Sequence, residues 1–210
     1  GGTFLSMPEG NIELVISPLP DLVIVTLRGP VSRAAFIECP PHGEWIAIRF
    51  RLGTFFPKIA TSSLLDRKDL NLPPAGSGRF WLAGLSWEIP SFDGAEDFVG
   101  RLALAGVIVR SHAVDAAAVG DERWMSQRSV QRHFLRTTAM THSSFQQIQR
   151  VRRAAILLVG GCPILDAAYD VGYCDQAHLT RSVTRLLGIT PARLAREQPQ
   201  LSFSSKTELA

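Results

Sequence analysis

Arg132 and Arg181 stand at matching places in two stretches of chain that are nearly one stretch written twice. Ser126–His142 (SQRSVQRHFLRTTAMTH) laid over Asp175–Pro191 (DQAHLTRSVTRLLGITP) puts Gln127 on Gln176, Arg132 on Arg181, Arg136 on Arg185 and Thr141 on Thr190, at an offset of 49 residues. A guanidinium is a planar fork of donors that fits guanine O6/N7 or a phosphate, and a carboxamide fits adenine N6/N7. The same groups at the same spacing point to one structural unit used twice, and so to two basic helices offered to one regular polyanion. A solvated helical face is the plainer reading of any single arginine, and the repeat is what speaks against it.

The elements that must carry these residues are helices. Each copy opens on a good N-cap, Ser126 or Asp175, and buries residues at i and i+4, Val130/Phe134 and Leu179/Val183. At 100° per residue this turns Arg128, Arg132 and Leu135 away from the core with Gln131 at the flank. In the second copy Ala177, Arg181 and Thr184 face out with Thr180 flanking. Supporting helices are expected at about 115–121 and after Pro163, the latter burying Ile164, Ala168 and Val171 before a tight turn at Gly172. Between the copies Ser143–Val159 has an apolar stripe of Phe145, Ile148, Val151, Ala155 and Leu158, a linker helix. Thr190-Pro191 opens a short closing helix, and a first helix is expected from Ala95, capped by Asp93.

The segment YDVGYCDQAHLTRSVTRLLGITPARL (169–194), preceded by SQRSVQRHF and the linker helix, resembles the AraC/XylS family of bacterial transcription regulators. The resemblance covers about residues 95–196 and rests on G-[YF]-x-[DS]-Q-x-[HT]-[LF]-x-R and the closing G-x-T-P. It implies two helix-turn-helix units whose recognition helices enter successive major-groove segments on one face of DNA. The base-reading positions it implies are Arg128, Gln131 and Arg132 in the first helix, and Gln176, Ala177, Thr180 and Arg181 in the second. Each arginine has the alternative role of a positioning contact to phosphate. The chain departs from the family at Trp124, where the first turn usually has glycine, and at Ala139 and Thr141-His142 after the first recognition helix. Both departures lie in the first unit, which is expected to read DNA less faithfully than the second.

Charge agrees with this division. Residues 1–120 hold 10 basic and 12 acidic side chains, whereas 121–196 hold 11 basic and 5 acidic, every basic one an arginine. The N-terminal half reads as sheet: 11–17, 22–28, 34–38 and 45–51 are short and β-branched or aromatic, separated by Pro18-Leu19-Pro20-Asp21, Gly29-Pro30 and Pro40-Pro41-His42-Gly43. Phe80–Leu82 and Leu85–Glu88 read as returning strands. Phe36, Trp45, Phe50, Trp81 and Trp87 could line a pocket, though a small core is the plainer reading of aromatics in strands. His42 beside Glu44 lacks a second histidine at ligand spacing, and His133 and His178 read as packed or backbone-bonded. Cys174, Asp175 and His178 read as a cap and its neighbours. Cys39, Cys162 and Cys174 are an odd set without metal-type pairing and read as reduced thiols. No apolar run approaches the ~18 residues of a membrane span, no secretory signal is visible, and Gly1-Gly2 in place of methionine reads as an expression scar or a trimmed start.

The expectation is an α+β chain: a β-rich N-terminal meander or partial barrel over 1–92, serving sensing or dimerisation, an all-α tandem helix-turn-helix domain over 93–198, and a flexible tail over 199–210. The expected function is sequence-specific transcription regulation in a bacterial cytoplasm, without catalysis, cofactor, metal or membrane. Double-stranded DNA and RNA polymerase are the partners this implies, with a small-molecule effector and a second copy as candidates for the N-terminal half. The alternative is a β-barrel enzyme, or an alkyl-transfer repair protein using a cysteine, targeted by its helical half; a protein-interaction module with an acidic partner is a further rival.

Overall fold

A computed structural model of the chain describes residues 2–38, 45–66, 70–118, 120, 125–202 and the backbone of 208–209. The strands are β1 (Thr3–Ser6), β2 (Glu13–Pro18), β3 (Val23–Arg28), β4 (Ala35–Glu38), β5 (Ile46–Phe50), β6 (Thr54–Phe55), β7 (Leu70–Asn71), β8 (Arg79–Leu82), β9 (Leu85–Glu88), β10 (Val109–Arg110), β11 (Leu201–Ser202) and β12 (Glu208–Leu209). The helices are α1 (Ala95–Leu104), α2 (His112–Ala118), α3 (Gln127–Thr138), α4 (His142–Val159), α5 (Ile164–Asp170), α6 (Gln176–Leu187) and α7 (Pro191–Glu197). The class is α+β, a strand-rich N-terminal region followed by helices. Two compact units emerge, one of Gly10–Pro30, Glu44–His142 and Lys206–Ala210, the other of Gly1–Glu9, Val31–Gly43 and Ser143–Ser205.

The first unit is built on a sheet of order β12-β5-β2-β3-β7. Pro18 and Pro20 sit at the β2–β3 turn, where the missing N–H costs no ladder bond, and Leu19 N–H closes it on the Leu22 carbonyl at 2.8 Å. Register sets Leu14 beside Leu27 and Ile48, and Ile16 beside Val25 and Ile46. Because side chains alternate along a strand, these rows share one face. That face is in one core with Phe98, Val99 and Leu102 of α1 and with Phe56, Phe80 and Leu82, each large side chain contributing roughly 1.5–3 kcal/mol by leaving water. At the alternating positions Glu13 pairs with Arg49 across the strands, Oε1 to Nη2 at 2.9 Å. β8 and β9 form a hairpin over Ala83 and Gly84, at φ 55° and 85°, the positive-φ pair that a two-residue turn between twisted strands demands. The unit also holds α2 and α3; α3 packs on α2, on β6 and on the 3-10 turn Thr61–Ser63.

In the second unit β1 lies between β4, antiparallel, and β11, parallel. Leu5 and Met7 enter one core with Val151, Ala155 and Leu158 of α4, Ala167 and Ala168 of α5, Leu179, Val183 and Leu187 of α6, and Leu194 of α7. Arg152 of α4 donates from Nη1 to the Pro8 carbonyl at 2.9 Å and to Glu9 Oε2 at 3.4 Å. Ala34 N–H donates to the Leu186 carbonyl at 2.8 Å in the last turn of α6.

Several expectations change in detail. The four early strand segments appear as β2, β3, β4 and β5, but β4 leaves the meander and pairs with β1, register Phe4↔Ile37 and Leu5↔Phe36. Strand propensity marks a segment as extended and says nothing of its partner. The five aromatics neither line one pocket nor form one core: Phe50 is buried and Trp87 packs at the core's edge, whereas Phe36, Trp45 and Trp81 are about half exposed. The helix at Ala95 begins as expected, but its N-cap is Gly94 rather than Asp93, and the Gly94 N–H donates to Ser91 Oγ at 3.1 Å. Pro163 is the N-cap of α5, not part of its first turn. Within the stretch read as a tail, Leu201 and Ser202 register with Leu5 and Ser6. Cys39, His42, Glu44 and Trp124 lie outside the described residues.

Candidate nucleic-acid interface

The two repeated stretches form α3 and α6, each 12 residues long. Ser126 Oγ accepts the Ser129 N–H at 3.3 Å, and Asp175 Oδ1 accepts the His178 N–H at 2.6 Å. A side-chain acceptor at that place satisfies one of the donors a helix start leaves open. Val130 and Phe134 of α3 and Leu179 and Val183 of α6 are buried. The helices also close alike: Ala139 at φ 56° and Gly188 at φ 70° are both left-handed, and each sends its N–H back to a carbonyl one turn earlier, Leu135 or Thr184. The left-handed conformation suits glycine and costs an alanine roughly 1–2 kcal/mol.

With one face buried, the opposite face is exposed. Arg128, Gln131 and Arg132 are exposed on α3; Gln176, Ala177 and Arg181 are exposed on α6, and Thr180 is half-buried there. The residues named from the sequence thus fall on the solvent side of their own helices, with Leu135, 49% exposed, beside the α3 set. Among the described residues, no hydrogen bond or ion pair engages the side chains of Arg128, Arg132 or Arg181. The other matched arginines are used inside the protein. Arg136 lies over the Phe55 ring, its guanidinium carbon 4.4 Å from the centroid, and Arg185 Nη2 donates to Gln147 Oε1. Their matched place in the repeat was legible; their partners, which come from β6 and α4, were not. Arg152, counted toward the basic charge of the helical segment, instead ties α4 to residues 8 and 9.

Five residues, 171–175, join α5 to α6, and Gly172 at φ 81° makes the bend. Its N–H donates to the Tyr169 carbonyl at 3.0 Å, and that of Tyr173 to the Ala168 carbonyl at 2.9 Å. Before α3, Gly120 has φ 79°. The supporting helix expected at 115–121 is α2, which begins about a turn earlier, at His112.

Two of the described histidines have partners within the protein. His133 Nδ1 is 3.0 Å from Ser111 Oγ, and the exposed His178 meets the Tyr173 ring edge-on with centroids 4.9 Å apart. Among the described residues no three His, Cys, Asp or Glu side chains group as metal ligands. Cys162 and Cys174 are free thiols. In α7, Thr190 Oγ1 caps Arg193 N–H at 3.2 Å with Pro191 at the first position. There Arg193 Nε donates to Glu197 Oε1 at 2.8 Å, which holds the carboxyl below the usual carboxylate range and raises the guanidinium further. No helix among the described residues is long and apolar enough to cross a membrane.

Two compact helical pairs, each a supporting helix, a turn and an exposed basic helix, make the arrangement of a helix-turn-helix. In comparison with protein families, residues 121–197, which begin after α2, match the family described as helix-turn-helix domain. No match was found among curated proteins.

Proposed function

Residues 121–197 being a helix-turn-helix domain of the AraC/XylS type, we propose that the chain is a sequence-specific DNA-binding transcription regulator whose α3 and α6 read adjacent major-groove segments. The observation that carries this is the pair of matched, capped helices, each offering an exposed forked donor, Arg132 or Arg181, and an exposed carboxamide, Gln131 or Gln176. The mechanism begins with phosphates. Guanidinium groups displace condensed counterions, so affinity falls steeply with salt, with a slope of about −0.9 per phosphate neutralised. Base edges then set the register: Arg128, Arg132 and Arg181 fork to guanine O6/N7, and Gln131 and Gln176 to adenine N6/N7. Ala177 and Thr180 complete the reading face of α6.

In this reading residues 1–92 act as the sensing or dimerising part and 93–198 as the DNA-binding part. RNA polymerase is the partner through which bound protein changes transcription, and the strand-rich part is where a small-molecule effector or a second copy acts. The protein works in the cytoplasm of a bacterium and performs no catalysis.

The test is selection of duplexes from random DNA, followed by fluorescence anisotropy on the enriched sequence. A sharp preference over a scrambled duplex is expected, with salt-dependent affinity. Arg181→Ala should cost about 1–3 kcal/mol at one base pair. Binding insensitive to both salt and Arg181→Ala would overturn the proposal.

A further inference from the structure

The two reading faces do not carry the same chemistry, although the helices repeat. At the second and fifth positions after the cap, α3 has Arg128 and Gln131, both exposed and both hydrogen-bonding groups. The matching positions of α6 are Ala177 and Thr180. Ala177 is exposed and ends in a methyl group. Thr180 has a hydroxyl, but its Oγ1 donates to the Gln176 carbonyl at 2.8 Å, one turn back along its own helix. A hydroxyl has a single proton. With that proton committed to the backbone, Thr180 has none to donate to guanine, to adenine N7 or to thymine O4. What it adds to the face, next to Ala177, is a second methyl group and an oxygen that can only accept, for which thymine's O4 edge offers no donor.

We infer that α6 selects thymine, by apolar contact of Ala177 and Thr180 with the 5-methyl groups of two bases, beside the base pair that Arg181 addresses. This rests on the proposed reading of DNA by α6. In the major groove the 5-methyl is displayed by thymine alone, and small apolar side chains are what pack on it. The α3 half of the site is then read through hydrogen bonds alone and the α6 half through methyl packing beside the bonds of Gln176 and Arg181, so the two half-sites differ in sequence despite the repeat.

Replacement of thymine by uracil tests this, because it removes the methyl and leaves every hydrogen-bonding group of the base in place. With the full chain and a selected duplex, each thymine of the α6 half-site is exchanged singly and affinity is measured by anisotropy. Loss of about fourfold is expected at the two positions, the factor of leaving one methyl-sized group unburied. Thr180→Val keeps a methyl and removes the hydroxyl, and should bind and discriminate as the parent does. Thr180→Ser keeps the hydroxyl and removes the methyl, and should lose its sensitivity to uracil at one position. Sequence-selective binding indifferent to uracil throughout would overturn this inference and leave the DNA-reading proposal standing. So would a Thr180→Ser protein that still discriminates beside a Thr180→Val protein that does not. Failure to select any duplex would overturn both.

Discussion

α3 and α6 are the same helix held by different surroundings. α6 is supported by α5 and α7 and shares its core with Leu5 and Met7 from the start of the chain, whereas α3 rests on α2, β6 and the Thr61–Ser63 turn. The caps, the buried i/i+4 pair and the exposed arginine are common to both; the residue that closes the helix is not. What is held fixed is the outward face and the means of starting it. How the inward face is covered varies, because a helix needs only some apolar surface against its buried stripe.

The comparison can be broken first at the buried pair. Phe134→Ala should destabilise by about 3–5 kcal/mol and Leu179→Ala by about 2–5 kcal/mol, since both side chains are fully buried and each would leave a cavity. Hydrogen exchange should show protection lost in α3 for the first and in α6 for the second; a loss confined to the other helix would contradict separate support. Next come the exposed arginines. Arg132→Ala should cost about as much specific affinity as Arg181→Ala, roughly 1–3 kcal/mol each, and a selected duplex should relax at different base pairs for the two. If both relax the same position, the helices do not read separate segments.

The closing residues give a smaller effect and a sharper contrast. Ala139→Gly should stabilise the protein by about 1 kcal/mol in urea titration, relief of left-handed strain outweighing the greater freedom of glycine when unfolded. Gly188→Ala should do the reverse, by about 1–2 kcal/mol through backbone strain alone, as nothing lies within 4 Å of where its Cβ would stand. Equal responses would mean that the two helix ends are not alike after all. The smallest effect is expected at Glu197, whose carboxyl is held below its ordinary range first by the hydrogen bond from Arg193. A depressed folded value means that the contribution is present above the unfolded carboxylate value and lost as pH falls through the folded one. NMR at falling pH should therefore show α7 fraying at its C-terminal turn only in acid, and Glu197→Gln should remove that pH dependence.

The repeat was legible because everything it depends on is local: a cap, a 3.6-residue period and a turn residue are all written within a few positions of one another. The linker helix was legible for the same reason, and all five of its expected stripe residues are buried in α4. The pairing of β4 with β1 was not, since Thr3–Ser6 is only four residues long and its partner lies about 30 residues away. Charge misled in one place. Arg152 looks like one more cation in a basic segment, yet it is only 15% exposed and bonded to residues 8 and 9, a use that depends on chain far away in sequence. The family resemblance implies Thr180 as a reading residue; that its hydroxyl proton already goes to the Gln176 carbonyl is a matter of rotamer, which sequence does not specify.

Leu5 and Met7 have a consequence for anyone who would cut the chain. They are 0% and 2% exposed in the core beneath α6, and Arg152 fastens the next two residues to α4. A fragment starting at residue 93 keeps every letter of the reading helices but discards the floor on which the second one stands. The portion that addresses the double helix and the portion that folds on its own are therefore different pieces of this polypeptide.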